Sequence, residues 1–328
     1  MLEGMKVIEV AYYYPAPYCC KILADLGAEV IKIEPPQGDP MRYRKEIFAN
    51  FNYNKKILRM DLKKEEDLKR FYDLVKDADV IVEGFRVGVA KKLKIDYQTL
   101  KAVNPSIIYC SITGFGQRGA AKPVHDINIL NLSGVCSVTG LKFNKPEDPN
   151  VQLSDFASSV FATISILAAY IHKLRTGEGK YIDVSMFNSA LAAIPLHVAS
   201  VGNGKGNIKD FVSNPGYRIY KAKDGYVSIG ILDEPRFWKE FCKVIELDYG
   251  DISFDERIKR DEEISKQIAE KFKELTVDQI EELLKDLPCG VVKDLEEALK
   301  DSEIIKEISF ENERYIVIGF PVRFESLS

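Results

Sequence analysis

Histidine is scarce in this chain: only His125, His172 and His197 occur among 328 residues. With six cysteines that form no C-x-x-C pair, there is no ligand set for a zinc ribbon or finger. Cys19, Cys20, Cys110, Cys136, Cys242 and Cys289 lie mostly in apolar runs, which suits buried free thiols in a reducing compartment. Also lacking is any block of five or six like charges. With a net charge of -4, this removes the electrostatic footprint of a nucleic-acid binder and the polybasic patch of a membrane-surface protein. No G-x-G-x-x-G loop is present, which disfavours a nicotinamide dinucleotide. The opening MLEGMKVIEV has no signal-peptide pattern, since its apolar run is short and holds Glu9. These absences predict a cytoplasmic protein with no metal.

Long hydrophobic runs are equally rare. One segment, Phe156 to Leu174, approaches the length a bilayer needs. Ser158, Ser159, Thr163, Ser165 and His172 spread around it, and Arg175-Thr176-Gly177 supplies a stop, so it reads as a helix buried in a globular domain and not as a membrane span.

What is present is the composition of an enzyme-sized globular chain, 46% hydrophobic and 29% charged. Lys6–Val10 reads as a strand, Pro17–Leu26 as a helix ended by Gly27, and Glu29–Glu34 as a second strand stopped by Pro35-Pro36. Further strands are expected at Leu58–Leu62, Asp79–Glu83, Ser106–Ile112 and Lys180–Ser185, with helices at 63–76 and 97–103 between them. Strands alternating with helices predict an α/β fold: a doubly wound, mostly parallel sheet in a Rossmann-like large domain. Turn signals at 203–207 and 213–216, a hairpin pattern around Lys223-Asp224-Gly225 and charge-rich amphipathic helices after residue 236 predict a smaller α+β domain. The expected boundaries are 1–185 for the large domain, 186–212 for a linker, 213–305 for the small domain and 306–328 for a segment returning to the large one.

Two residues carry candidate chemistry. His125 precedes Asp126 between a Gly/Pro loop and an apolar helical pattern, and imidazole can exchange a proton near neutral pH, although a histidine there can equally cap the helix. Asp155 stands at the start of the long apolar helix, where an acid commonly acts as an N-cap or first-turn residue; Ser154 could cap as well.

Several segments in order resemble the family III CoA-transferase and α-methylacyl-CoA racemase superfamily (CaiB/BaiF). They are 6–10, Ala16-Pro17, 23–34, Gly38-Asp39-Pro40-Met41-Arg42, Asp79 to Arg86, Ser111 to Gln117, His125-Asp-Ile-Asn128 and Arg175-Thr-Gly177. The resemblance covers roughly residues 4–190 and continues more weakly through Glu234-Pro-Arg-Phe237 and 288–299. Transferases of the family usually carry an aromatic residue at the place of His125 and use an aspartate aligned with Asp155 as nucleophile. Racemases resemble this chain in His-Asp-Ile-Asn and in Glu234-Pro235.

The resemblance therefore implies a racemase that inverts the α-carbon of 2-methylacyl-CoA thioesters. His125 and Asp155 would be the two acid/base groups, with Asp126 beside the imidazole and Glu234 supporting it. Removing an α-proton on one face and returning one on the other requires such a pair, and the enolate between would be stabilised by N–H groups of the helix starting near Asp126. The alternative is CoA transfer between carboxylic acids through an acyl-aspartate at Asp155. CoA, as part of the substrate and not a separate cofactor, would meet Arg42, Lys55, Lys56 and Arg86. The family also implies an interlocked homodimer with sites shared between chains, which would put Glu234 opposite the partner's His125. Departures from the family pattern occur at Val87, Ile129, Val151-Gln152, Ser158 and Ser159, and bear on the shape of the acyl pocket.

Overall fold

Runs such as Val7-Ile8 and Val80-Ile81-Val82 are buried on both sides, as strands of a parallel sheet covered by helices must be. The computed structural model describes residues 1–204 and 207–325. Its main sheet is built from β1 (Lys6–Val10), β2 (Glu29–Glu34), β3 (Lys56–Arg59), β4 (Val80–Glu83), β5 (Ile108–Thr113) and β6 (Tyr181–Ser185). They lie in the order β3-β2-β1-β4-β5-β6, and every pairing is parallel. The order reverses between β1 and β4, and ligands of such sheets bind at that reversal, beyond the carboxyl ends of the strands.

The helices between these strands are α1 (Pro15–Asp25), α2 (Lys45–Asn52), α3 (Glu65–Lys76), α4 (Val89–Lys92), α5 (Tyr97–Val103), α6 (Asp126–Leu132), α7 (Val135–Thr139) and α8 (Leu153–Thr176). One face of the sheet buries Val7, Val82, Cys110 and Ile112 against Cys19 and Leu23 of α1 and Ala162 and Ile166 of α8. The other buries Ile8, Ile81 and Tyr109 with Phe71 and Val75 of α3 and Leu100 of α5. α8 is long and apolar enough to cross a bilayer, yet packs on α1, β5 and β6. It ends where Gly177 takes φ +76, a backbone that disfavours any Cβ.

The chain divides into two units. The first holds residues 1–140, 146–195 and those from 303 onward; the second holds 141–145 and 196–302. The stretch read as a linker, 186–212, is instead largely helical. Ser185 caps α9 (Met186–Ala192) by accepting from Asn188 N, and α10 (Pro195–Gly202) follows directly. The second unit contains an antiparallel sheet of β7 (Tyr217–Lys221), β8 (Tyr226–Gly230) and β9 (Cys289–Val291). Against it lie α11 (Pro235–Val244), α12 (Phe254–Lys259), α13 (Asp261–Phe272) and α14 (Val277–Leu283), around Trp238, Phe241 and Ile268; α15 (Leu295–Lys300) closes the unit. The hairpin of β10 (Ile305–Phe310) and β11 (Glu313–Ile318) belongs to the first unit, where it packs on α2 and Ile318 N donates to Asn50 Oδ1 at 2.9 Å.

A buried charge cluster supports the first unit. Lys32 Nζ donates to Glu9 Oε1 at 2.6 Å and Ala11 O at 2.8 Å, and also pairs with Asp39 at 2.9 Å. Lys55 Nζ donates to Glu9 Oε2 at 2.6 Å, Pro17 O at 2.7 Å and Asn52 Oδ1 at 3.1 Å. Such a cluster is tolerated in an apolar interior because each ammonium has three partners and the two carboxylates balance the two lysines.

Candidate active site

The loops leaving the C-terminal ends of β1, β4 and β5 enclose a cavity of about 400 Å³ at the point where the strand order reverses. Its wall includes Tyr12, Tyr13, Gly84 to Val87 and Thr113-Gly114, and both His125 and Asp155 line it. The fold thus brings together the two residues singled out as acid and base.

Asp155 stands in the first turn of α8 and is not the N-cap; Gln152 holds that place and makes no side-chain cap. The cap comes from another helix. Asp126, buried at the start of α6, accepts through Oδ1 from Ser154 N at 2.8 Å, Ser154 Oγ at 2.5 Å and Asp155 N at 3.1 Å. Asp126, expected beside the imidazole as part of the catalytic group, thus spends its carboxylate on α8. Burial pushes the Asp155 carboxyl up to about 8, and the nearby Asp126 charge adds to the effect.

His125 is the N-cap residue of α6, and its backbone N–H donates to Asn128 Oδ1 at 2.9 Å. That bond accounts for the asparagine of His-Asp-Ile-Asn. The imidazole is exposed at the cavity, edge-on to the Tyr13 ring with centroids 6.3 Å apart. Tyr13 adopts φ +64, a left-handed conformation costly for a side chain of this size and held only by surrounding structure. The unusual serines of α8 turn inward: Ser159 Oγ shares its one proton between Pro15 O at 2.8 Å and Asp155 O at 2.7 Å, and Ser158 Oγ donates to Asp155 O at 3.1 Å. Ser159 therefore fastens α8 to the start of α1 beneath the cavity.

The four cations expected to meet CoA separate. Arg86 lines the cavity, is exposed, and makes no ion pair among the described residues. Lys55 is a correction: its ammonium is fully buried and its donors are spent on Glu9, Pro17 and Asn52, so it cannot reach a phosphate. Arg42 is engaged by Glu34 at 2.9 Å and Glu311 at 2.9 Å, with its guanidinium over Phe48. Lys56 lies exposed on β3 near Glu29, at 3.5 Å, and does not line the cavity.

Other cations line hollows beside the cavity that sequence spacing did not reveal. Tyr12 and Phe85 also line a second hollow of about 270 Å³ with Ile33, Pro35 and Met60. Leu62, Lys63 and Leu93 connect that hollow to a third, of about 770 Å³, bearing Lys69, Lys92 and Lys94. These lysines come from α3, α4 and their flanking turns, which only the fold makes neighbours. Glu234 lies in the second unit as N-cap residue of α11, where its carboxylate accepts from Leu232 N at 2.7 Å. Among the described residues no cluster of His, Cys, Asp or Glu could hold a metal ion.

Residues 2–327 match the model of CoA-transferase family III. The chain belongs to that family. It is 30% identical to the succinyl-CoA:mesaconate CoA-transferase of Haloarcula hispanica, over 92% of this chain and 83% of the relative. It is 28% identical to the (R)-2-hydroxy-4-methylpentanoate CoA-transferase of Clostridioides difficile, over 99% and 90%. The crystal structure of a CAIB/BAIF family protein from Brucella suis superposes with a TM-score of 0.84 at 26% identity, covering 98% of this chain and 92% of that one. The Haloarcula and Clostridioides relatives are named as transferases, so the family stands while the narrower expectation of a racemase gains nothing from their names.

Proposed function

We propose that this family III enzyme moves CoA between carboxylic acids through a covalent intermediate on Asp155. The observation that carries the reading is an aspartate poorly solvated at the wall of a cavity that Arg86 also lines, and whose Tyr12 and Phe85 also line the neighbouring hollow that holds Lys63. A carboxylate ionised in such a place is a stronger nucleophile than one in water. Its attack on the thioester carbonyl breaks the C–S bond, releases CoA as thiolate and leaves an acyl-aspartyl anhydride. Return of the thiolate to the aspartyl carbonyl expels the first acid and leaves CoA on Asp155 as a thioester. The second acid takes CoA from there by the same two steps reversed. CoA is proposed to lie with its thiol end in the cavity and its phosphates along Arg86, Lys63 and Lys92.

A second reading, racemisation of 2-methylacyl-CoA, rests on one observation: the His125 imidazole lines the same cavity as Asp155. Hydroxylamine in the presence of acyl-CoA separates the two. A transferase is trapped at Asp155 and moves CoA to a second acid. A racemase is not trapped, and it places solvent deuterium on the α-carbon of both epimers. We further propose a homodimer, supported by Phe161, Ile164, Ile171 and Leu174 exposed along α8; an active species of monomer mass in light scattering overturns it.

A further inference from the structure

Glu83, Ser111 and Asp183 stand in one rank across three adjacent strands, because Glu83 pairs with Ser111 between β4 and β5, and Ser111 with Asp183 between β5 and β6. Each carboxylate holds the turn that follows a strand of this rank. Glu83, 1% exposed, accepts from Phe85 N at 2.8 Å and from Ser111 Oγ. Asp183 accepts from Gln117 N at 2.9 Å, and Gly116, at φ +79, lets that turn pass close to the carboxylate. The first turn carries Gly84, Phe85 and Arg86 into the cavity wall. None of this touches His125 or Asp155.

We propose that Glu83 is a positioning residue that fixes the Gly84–Val87 turn so that Arg86 meets the substrate's phosphates. The proposal rests on the CoA reading above. Burial and the Asp183 charge raise the Glu83 carboxyl to about 7, while its bonds from Ser111 and Phe85 oppose the rise. The titratable and charged groups around it are Tyr109 and Cys110 of β5, Tyr181 and Asp183 of β6, and Tyr97 of α5, which stacks on Tyr181 and carries Lys101 on its ring. From β1 it faces apolar Val10. The ionised carboxylate accepts both bonds and holds the turn. The neutral acid keeps both contacts only by reversing the Ser111 bond, and it loses the charge that strengthens the bond from Phe85 N, which loosens the turn.

The test is calorimetric binding of CoA, with kcat and KM measured alongside. Wild-type binding should tighten as pH rises through about 7. Glu83→Gln, which keeps the shape and has no charge to gain, should lack that tightening; the comparison cancels the titration of CoA itself. Glu83→Ala should weaken binding about tenfold, the worth of a charge-assisted hydrogen bond, at little cost to kcat. Because Glu83 acts through Arg86, adding Glu83→Ala to Arg86→Ala should weaken binding no further. Wild-type protein that binds no CoA overturns both readings. Wild-type binding that Glu83→Ala leaves unchanged, a Glu83→Gln pH profile equal to the wild type's, or additive Glu83 and Arg86 effects, overturns the positioning role alone.

Discussion

Asp126 Oδ1 accepts the backbone N–H of Asp155 at 3.1 Å, so one acid caps the helix that carries the other. The bond fixes the first turn of α8 and brings the charge of Asp126 close to the Asp155 carboxyl. Asp126→Asn keeps one oxygen as acceptor and removes the charge, so acylation should ionise its nucleophile at lower pH than in wild type. Asp126→Ala loses the cap as well and should cost about 1 kcal/mol or more of stability, seen as a lower melting temperature. A pH profile of acylation left in place by Asp126→Asn would show that its charge does not act on Asp155.

Asp155 ionises near 8 in the folded chain, against 3.8 for the ordinary side chain. Between those values the native state keeps a proton that the unfolded chain has released, so the carboxyl lowers stability progressively as pH rises through that window. Asp155→Asn has no such proton. Its denaturation midpoint should exceed the wild type's by a margin that widens from about pH 5 to about pH 8. Acylation should accelerate over the same upper range, as more of the carboxylate forms. Equal margins at both ends would mean that the carboxyl is ionised throughout.

His125→Ala separates the two chemistries by magnitude. Transfer through Asp155 uses no histidine proton, so CoA transfer should survive within about tenfold. Racemisation would fall by roughly two orders of magnitude or more, the usual worth of a positioned acid or base. A transfer rate that collapses with His125→Ala would assign the imidazole a direct role in the acyl steps.

Lysines at the two kinds of place should respond oppositely. Lys55→Met leaves Glu9 short of one buried partner and should cost about 3–5 kcal/mol in a denaturant melt. Binding of CoA to the molecules that remain folded should be unchanged. Lys63→Ala and Lys92→Ala should leave the melt within about 0.5 kcal/mol. They should weaken CoA binding and reduce its dependence on salt. Loss of CoA affinity with Lys55→Met at full stability would return that lysine to the phosphate site.

The periodic parts of the fold were legible and the long-range parts were not. Lys6–Val10 and Glu29–Glu34 are strands with the predicted bounds because proline or glycine signals flank uninterrupted β-rich runs. The third strand lies at Lys56–Arg59 instead of Leu58–Leu62, since it is the sheet edge and carries no fully buried side chain to mark its register. His125 and Asp155 could be nominated by residue type and resemblance. The cap on α8 could not, because Asp126 reaches it across 28 positions. Nor could the fate of Lys55, whose partner Glu9 lies 46 residues away.

Lys32 grips Ala11 O and Lys55 grips Pro17 O, so both ends of the segment that bears the left-handed Tyr13 are tied to the same carboxylate. The two ties fix where the segment leaves and re-enters the core while Tyr13 between them stays exposed, so shifting either end means breaking a buried ion pair.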